Sequence, residues 1–405
     1  MLHLYLLFVS IFTFCALFSL FLRILPLCLH NVIEECEKSF DYFEELPHVV
    51  LMRIIGFVDL KSCLTLRKVS RNLRGFIDQN LNLELNRLNF RLYSHRICLE
   101  MVCLRAYLHV NYEKQEHRCI IEFNWMDYNN WKHYPGKKLS RSGNYLDRAI
   151  VDLWCILRLA KSEFSLFEVD FNGDHCKDKK VFIQKLNFLL ESLHQPLRPN
   201  QLKVTISNVN DLIPILPYLD PKYLESIDIE YPEDIRRFDL NELEGKYLKL
   251  DEIMTMEQWR KAEKLRIYEV KVSREIECFQ HFSHVEIMVK QVDYEYLMEW
   301  KEKFLEHHHL QSVKLHPCWT VNQVKFKEIF GDYPEPTYEN FVSASCLFEV
   351  PDSEDVIRLT WYYRYSSVFV FQRMKSSDIL PFDSYESFER KRREGCPNLM
   401  PFQLI

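Results

Sequence analysis

Histidine and cysteine are the side chains here whose chemistry is easiest to name, since both bind metals and both can carry catalysis. His281 and His284 stand three apart, and His307, His308 and His309 are consecutive. Only Glu286 and Glu306 offer carboxylates beside them, and no cysteine falls at zinc-ligand spacing, so neither set is assigned a metal. The triplet suits the end of a helix, where polar and positive groups meet the last carbonyls. The 13 cysteines are scattered, odd in number and without a C-x-x-C pair, which fits reduced thiols better than a disulfide framework. No N-x-Ser/Thr sequon occurs, in agreement with a cytosolic or nuclear body. There is neither a Gly-rich phosphate loop nor a G-x-S-x-G elbow, and glycine is scarce, at 8 residues. No catalytic site and no cofactor are expected.

The rest of the chain must then work by shape and contact. Its 405 residues are 47% apolar and 27% charged, enough for a small module plus one or two folded domains. A net charge of -6 gives no general reason to bind nucleic acid.

The densest local signal runs from Leu46 to Arg74. Leu46-Pro47 opens it, with Pro suited to a first helical turn. Val50, Ile54, Phe57 and Val58 recur at three- and four-residue steps on one helix face. Asp59 and Ser62 are both plausible caps for a second helix carrying Cys63, Leu64, Leu66 and Val69. So short a segment cannot enclose all that apolar surface, and part of it should meet another chain.

The order Leu46-Pro47, Val50-Leu51, Ile54-Ile55, Leu64, Leu66 and Val69-Ser70-Arg71 resembles the F-box. Val49 stands where that family commonly has an acidic residue, and Leu73 where it commonly has Trp. The resemblance implies an adaptor that docks on the Skp-family linker of a cullin-RING ubiquitin ligase. Leu46, Pro47, Val50, Leu51, Ile54, Ile55, Leu64, Leu66 and Val69 would be its linker-binding residues.

Beyond it, Ile77 to Arg91 reads as a polar helix or linker, and Ile97 to Cys103 and Cys119 to Phe123 as strands of period two. Tyr134 to Asn144, with Pro135-Gly136, reads as a loop. Tyr145 to Lys161 returns to a helical period. Six short strands follow, with apolar pairs at Val169/Phe171, Val204/Ile206, Ile227/Ile229, Leu265/Ile267, Val285/Ile287 and Val313/Leu315. Helix-like stretches separate them at 181–193, 210–219, 256–264, 276–282 and 294–307. Units of this kind cannot bury an apolar face alone, and stacking them into a solenoid solves that. Three more strands, 344–350, 356–363 and 368–373, would cap its C-terminal end.

The same span resembles, in motif order, the FTH-type domain of nematode F-box proteins. The residues that carry this are Leu216-Pro217-Tyr218-Leu219, Leu224-Glu225-Ile227, Glu257-Gln258-Trp259 with Ala262 and Leu265, and His281-Phe282. That resemblance implies a receptor for a protein substrate. The fold class expected is therefore α/β: a small helical F-box followed by a degenerate leucine-rich-repeat-like strand-helix solenoid with extra C-terminal strands. Its divisions are a hydrophobic segment at 1–29, the F-box at 41–80, a linker with strands at 81–144, the FTH-type domain at 145–316, and C-terminal strands and tail at 317–405.

Within each repeat strand the residue between the apolar pair points outward, which selects Asp170, Thr205, Asp228, Arg266, Glu286 and Lys314 as a substrate-binding ladder. An ordinary solvated sheet face is the plain alternative. Trp154 and Trp259 lie in helical apolar patterns and read as core. From Leu2 to Leu29 the chain is almost wholly apolar and longer than the ~20 residues that span a bilayer. It has no basic start and no cleavage site, so it reads as an anchor with the body in the cytosol, or as an incidental apolar leader. The basic run Arg390 to Arg393 reads as a solvated tail in preference to a nuclear import signal. Two functions remain open: a ligase substrate receptor, and a membrane-tethered interaction scaffold without a working ligase link.

Overall fold

The computed structural model describes residues 46–378 except 59, 82, 104–105, 128–131, 161–162, 172–177, 207, 232–249, 273–275, 321–325, 327–328, 331–341 and 364–366. The hydrophobic segment 1–29 and the basic run at 390–393 lie outside the described residues. No described helix is long and apolar enough to cross a membrane. The chain divides into two compact units, Met1–Leu81 and Asn82–Ile405.

The first unit holds α1 (His48–Phe57), α2 (Leu60–Val69) and α3 (Arg71–Asn80). Pro47 ends the extended entry to α1, and its carbonyl accepts from Val50 N at 2.8 Å. Ser70 caps α3, its hydroxyl accepting from Leu73 N at 3.0 Å, which satisfies an amide that has no partner inside the helix. Leu51, Ile55, Cys63, Leu66, Leu73 and Ile77 form the small core. Arg67 on α2 grips Asp78 on α3 with two hydrogen bonds, of 2.6 and 3.1 Å, fixing one helix on the other. The stretch expected as a polar helix or linker from Ile77 to Arg91 is instead the end of α3 followed by a strand.

The second unit is built on one 14-stranded sheet. An antiparallel meander opens it: β1 (Leu85–Leu92), β2 (Arg96–Cys103), β3 (Ala106–Lys114), β4 (Arg118–Asp127) and β5 (Lys132–Ser142). The expected loop at 134–144 is thus mostly strand. β5 is the sheet's edge, the place where Pro135 is tolerated because an edge strand leaves one row of amides unpaired. Gly143, at φ 110°, then turns the chain into α4 (Tyr145–Leu159), whose first turn is capped by Asn144 through Leu146 N at 2.8 Å. α4 lies against β2, β3 and β4.

Six strands follow: β6 (Phe164–Asp170), β7 (Pro199–Thr205), β8 (Ser226–Glu230), β9 (Lys264–Val272), β10 (His284–Val292) and β11 (Ser312–Thr320). Each is parallel to the next in chain order, and β6 also pairs in parallel with β1. α5 (Lys179–Glu191), α6 (Asp251–Met254), α7 (Glu257–Lys261) and α8 (Tyr294–Glu306) lie between them. The stretch expected as a helix at 210–219 holds two separate 3₁₀ turns, and that at 276–282 holds one, each too short to add a full apolar stripe. Trp259 is fully buried, edge-on to Phe282 at 5.2 Å. Trp154 is half-buried under the guanidinium of Arg158.

β12 (Val342–Glu349), β13 (Asp355–Tyr363) and β14 (Ser367–Lys375) complete the sheet, β14 returning antiparallel beside β11. Arg373 of β14 is buried and donates to the carbonyls of Leu310, His307 and Phe304, groups at and just beyond the C-terminal end of α8 that lack helical partners. The C-terminal strands are thereby tied to the last strand-helix unit.

Candidate functional site

In the helical unit, the predicted contact residues divide by exposure. Leu51, Ile55 and Leu66 are buried in the unit's own core, so they shape its surface from beneath. Pro47 is exposed, Leu46, Val50 and Ile54 are half-buried, and Val69 is 47% exposed. The side chain of Leu64 lies outside the described residues. Val49, noted above only as a departure from the family, and Met52 are 70% and 40% exposed and three apart, hence on one face of α1. Apolar groups held open in this way gain free energy only when something covers them. The departure at Leu73 is internal, because that side chain is buried.

The sheet unit presents a polar face, and strand register defines its rows. Phe167/Val169 align with Leu202/Val204, then with Ile227/Ile229, Leu265/Ile267, Val285/Ile287 and Val313/Leu315. The frame expected for the first two strands therefore ran two residues ahead. A period-two pattern cannot fix it, because Phe167, Val169 and Phe171 are all apolar and all buried. In true register the row between the apolar pairs is Glu168, Lys203, Asp228, Arg266, Glu286 and Lys314, with acid and base alternating strand by strand. Asp170 and Thr205 face the same way but belong to the next row, which continues to Glu230 and Tyr268.

These charges hold one another. Lys203 lies 3.1 Å from Glu230 and 3.8 Å from Glu168, and Arg87 is 2.5 Å from Glu168. Gln201 donates to Asp228 at 2.9 Å. Glu286 receives Lys314 and His316, each at 2.9 Å, with Arg266 at 3.8 Å. Burial opposes ionisation of Glu286, yet the hydrogen bonds from His316 and Lys314 outweigh it and hold the carboxyl at about 2. At Asp170 burial wins over the pull of Arg91 and raises the acid to about 6, and one of its buried oxygens has no hydrogen-bond partner among the described residues.

Three of the histidines singled out by sequence are engaged elsewhere. His281 Nε2 meets the Trp259 carbonyl at 3.0 Å, and burial lowers its basicity. His309 Nε2 meets the Gln280 carbonyl at 2.7 Å, and His284 pairs with Ser283. A different cluster forms on the meander's polar face: Cys98 and Glu100 of β2 with His109 of β3. Nothing in the spacing of 98, 100 and 109 announces it, because cross-strand pairing is what closes the group.

Residues 43–84 match the family model of the F-box domain, and residues 180–333 that of the FTH domain. No curated protein and no solved structure matches the chain. An F-box domain with an FTH domain C-terminal to it is the organisation of this protein.

Proposed function

We propose that this chain is the substrate-recognition adaptor of an SCF-type cullin-RING ubiquitin ligase. The observation that carries this is the presence in one chain of an F-box domain, which supports a Skp-family and cullin-RING partnership, and an FTH domain, which suggests a protein-interaction module. Pro47, Val49, Met52 and Val69, flanked by Leu46, Val50 and Ile54, supply the apolar docking face. The successive strands β6 to β11 act as a degenerate leucine-rich-repeat-like solenoid, and the alternating row from Glu168 to Lys314 selects a protein target by its charge pattern. Chemistry is left to other subunits, and the folded body works in the cytosol or nucleus.

Co-purification tests both halves. The wild-type chain is expected to recover the Skp-family linker, and Met52→Asp with Val69→Asp to reduce that recovery at least tenfold, about 1.4 kcal/mol, without lowering the unfolding temperature. Arg266→Gln with Lys314→Gln is expected to weaken substrate capture and leave the linker bound. A wild-type chain that never recovers the linker ends the adaptor reading and leaves the interaction scaffold.

A further inference from the structure

We propose that Cys98, Glu100 and His109 form a binding site for a single zinc-class divalent cation on the polar face of the β2–β3 ladder. Cys98 and Glu100 are two apart on β2 and so share a face, while His109 stands directly opposite Glu100 on β3. Cys98 Sγ is 2.9 Å from His109 Nε2 and 3.9 Å from Glu100 Oε1, and those last two are 4.0 Å apart. The point equidistant from all three atoms lies about 2.1 Å from each, close to zinc–nitrogen and zinc–oxygen bonds and slightly short of zinc–sulfur. An ion raised a little out of that plane meets all three ranges, and a small side-chain rotation that widens the 2.9 Å Sγ–Nε2 separation brings the set to tetrahedral angles, with a fourth position for water.

The surroundings are those of a held ligand set. Glu100 keeps Oε1 toward the other two ligands because Oε2 is engaged by Asn89 Nδ2 at 3.1 Å and lies 3.8 Å from Arg91. Asn89 is itself fully buried, and its Oδ1 has no hydrogen-bond partner among the described residues. The second nitrogen of His109, Nδ1, lies 3.4 Å from the Asn124 amide. A half-turn of that amide presents its oxygen to an Nδ1–H, which leaves Nε2 with its lone pair for the metal. Gly136 of the neighbouring edge strand makes room for this group, since a Cβ there would come within 2.7 Å of Asn124 Oδ1.

Charge balances as well. A thiolate and a carboxylate neutralise a divalent cation, with the imidazole neutral. Formation of the Sγ–metal bond releases the thiol proton to solvent. Without metal, Cys98 Sγ is in hydrogen-bond contact with His109 Nε2. Scattered thiols and histidines at irregular spacing hide such a site from any linear search.

Cobalt(II) added to the reduced, chelator-treated full-length protein tests the assignment. One ion per chain is expected, with a near-ultraviolet thiolate charge-transfer band and the intense visible bands of tetrahedral cobalt, both abolished by zinc. Cys98→Ser is expected to lose the charge-transfer band, and His109→Asn the tetrahedral visible spectrum. Asn124→Ala, which removes no ligand, is expected to weaken binding on the order of 10–100-fold. Should Cys98→Ser fail to fold, the half-exposed His109→Asn decides. A wild-type protein that gives no such spectrum at saturating cobalt overturns the site, as does a spectrum unchanged in Cys98→Ser and His109→Asn.

Discussion

The helical unit and the sheet unit present opposite kinds of surface. On α1 and α2 the apolar Val49, Met52 and Val69 are exposed beside polar and charged side chains, whereas the sheet's polar face is a set of charges largely paired with their neighbours. Burial of aliphatic surface is non-directional and scales with area, so the first surface suits firm docking on a constant partner. Charges that neutralise one another add little net attraction and reject mismatched patterns, so the second suits selection among many partners.

Trp259→Ala tests how separate the two surfaces are. Losing a fully buried indole should cost the sheet unit about 3–5 kcal/mol, while linker capture by the helical unit persists. Denaturant unfolding alongside linker co-purification measures both, and joint loss would mean that the two units stand or fall together.

Glu286→Gln sharpens the claim that the polar face is self-satisfied. Removing the charge that Lys314 and His316 share should cost about 1–2 kcal/mol at neutral pH. Because the folded carboxyl titrates near 2, below its ordinary 4.5, its stabilisation is complete above pH 4.5 and fades as the pH falls toward 2. The variant should lack that part of the acid-unfolding profile, and an unchanged profile would show that the cluster is unimportant to the fold.

Asp170→Asn should act with the opposite sign and the smallest size. Burial lifts this acid from 3.8 to about 6, so its effect favours the fold below pH 4 and is lost as pH rises through 6. The amide is expected to stabilise the protein at pH 7 by about 1 kcal/mol, after allowance for solvent screening, with no difference at pH 3.5. Thermal unfolding at the two pH values checks it.

Much of the molecule was readable in advance for reasons that can be named. Apolar spacing found α1, α2, α4, α5 and α8, since a helix that buries one stripe must repeat that stripe. Alternation found β2, β4 and the strands from β6 to β11, and a composition rich in Val, Phe and Tyr found β12 to β14. Alternation is equally plain in β3, where Ala106, Leu108, Val110 and Tyr112 are buried, yet that strand was not assigned, while β5 carries Pro135-Gly136 and a basic run that mark loops in most settings. In the helical unit the motif gave the right segment but not which side chains face outward. Leu51 and Val50 are equally apolar, and only packing decides that the first is core and the second half-open.

The sequence alone determined the division of this protein into an apolar helical module and a strand-helix domain, because hydrophobic period and motif order are properties of the linear chain. Tertiary structure decided the rows. Slipping a strand by two residues leaves its buried face apolar, so only hydrogen-bonded pairing could set Glu168 beside Lys203, or bring Cys98, Glu100 and His109 within reach of a single ion.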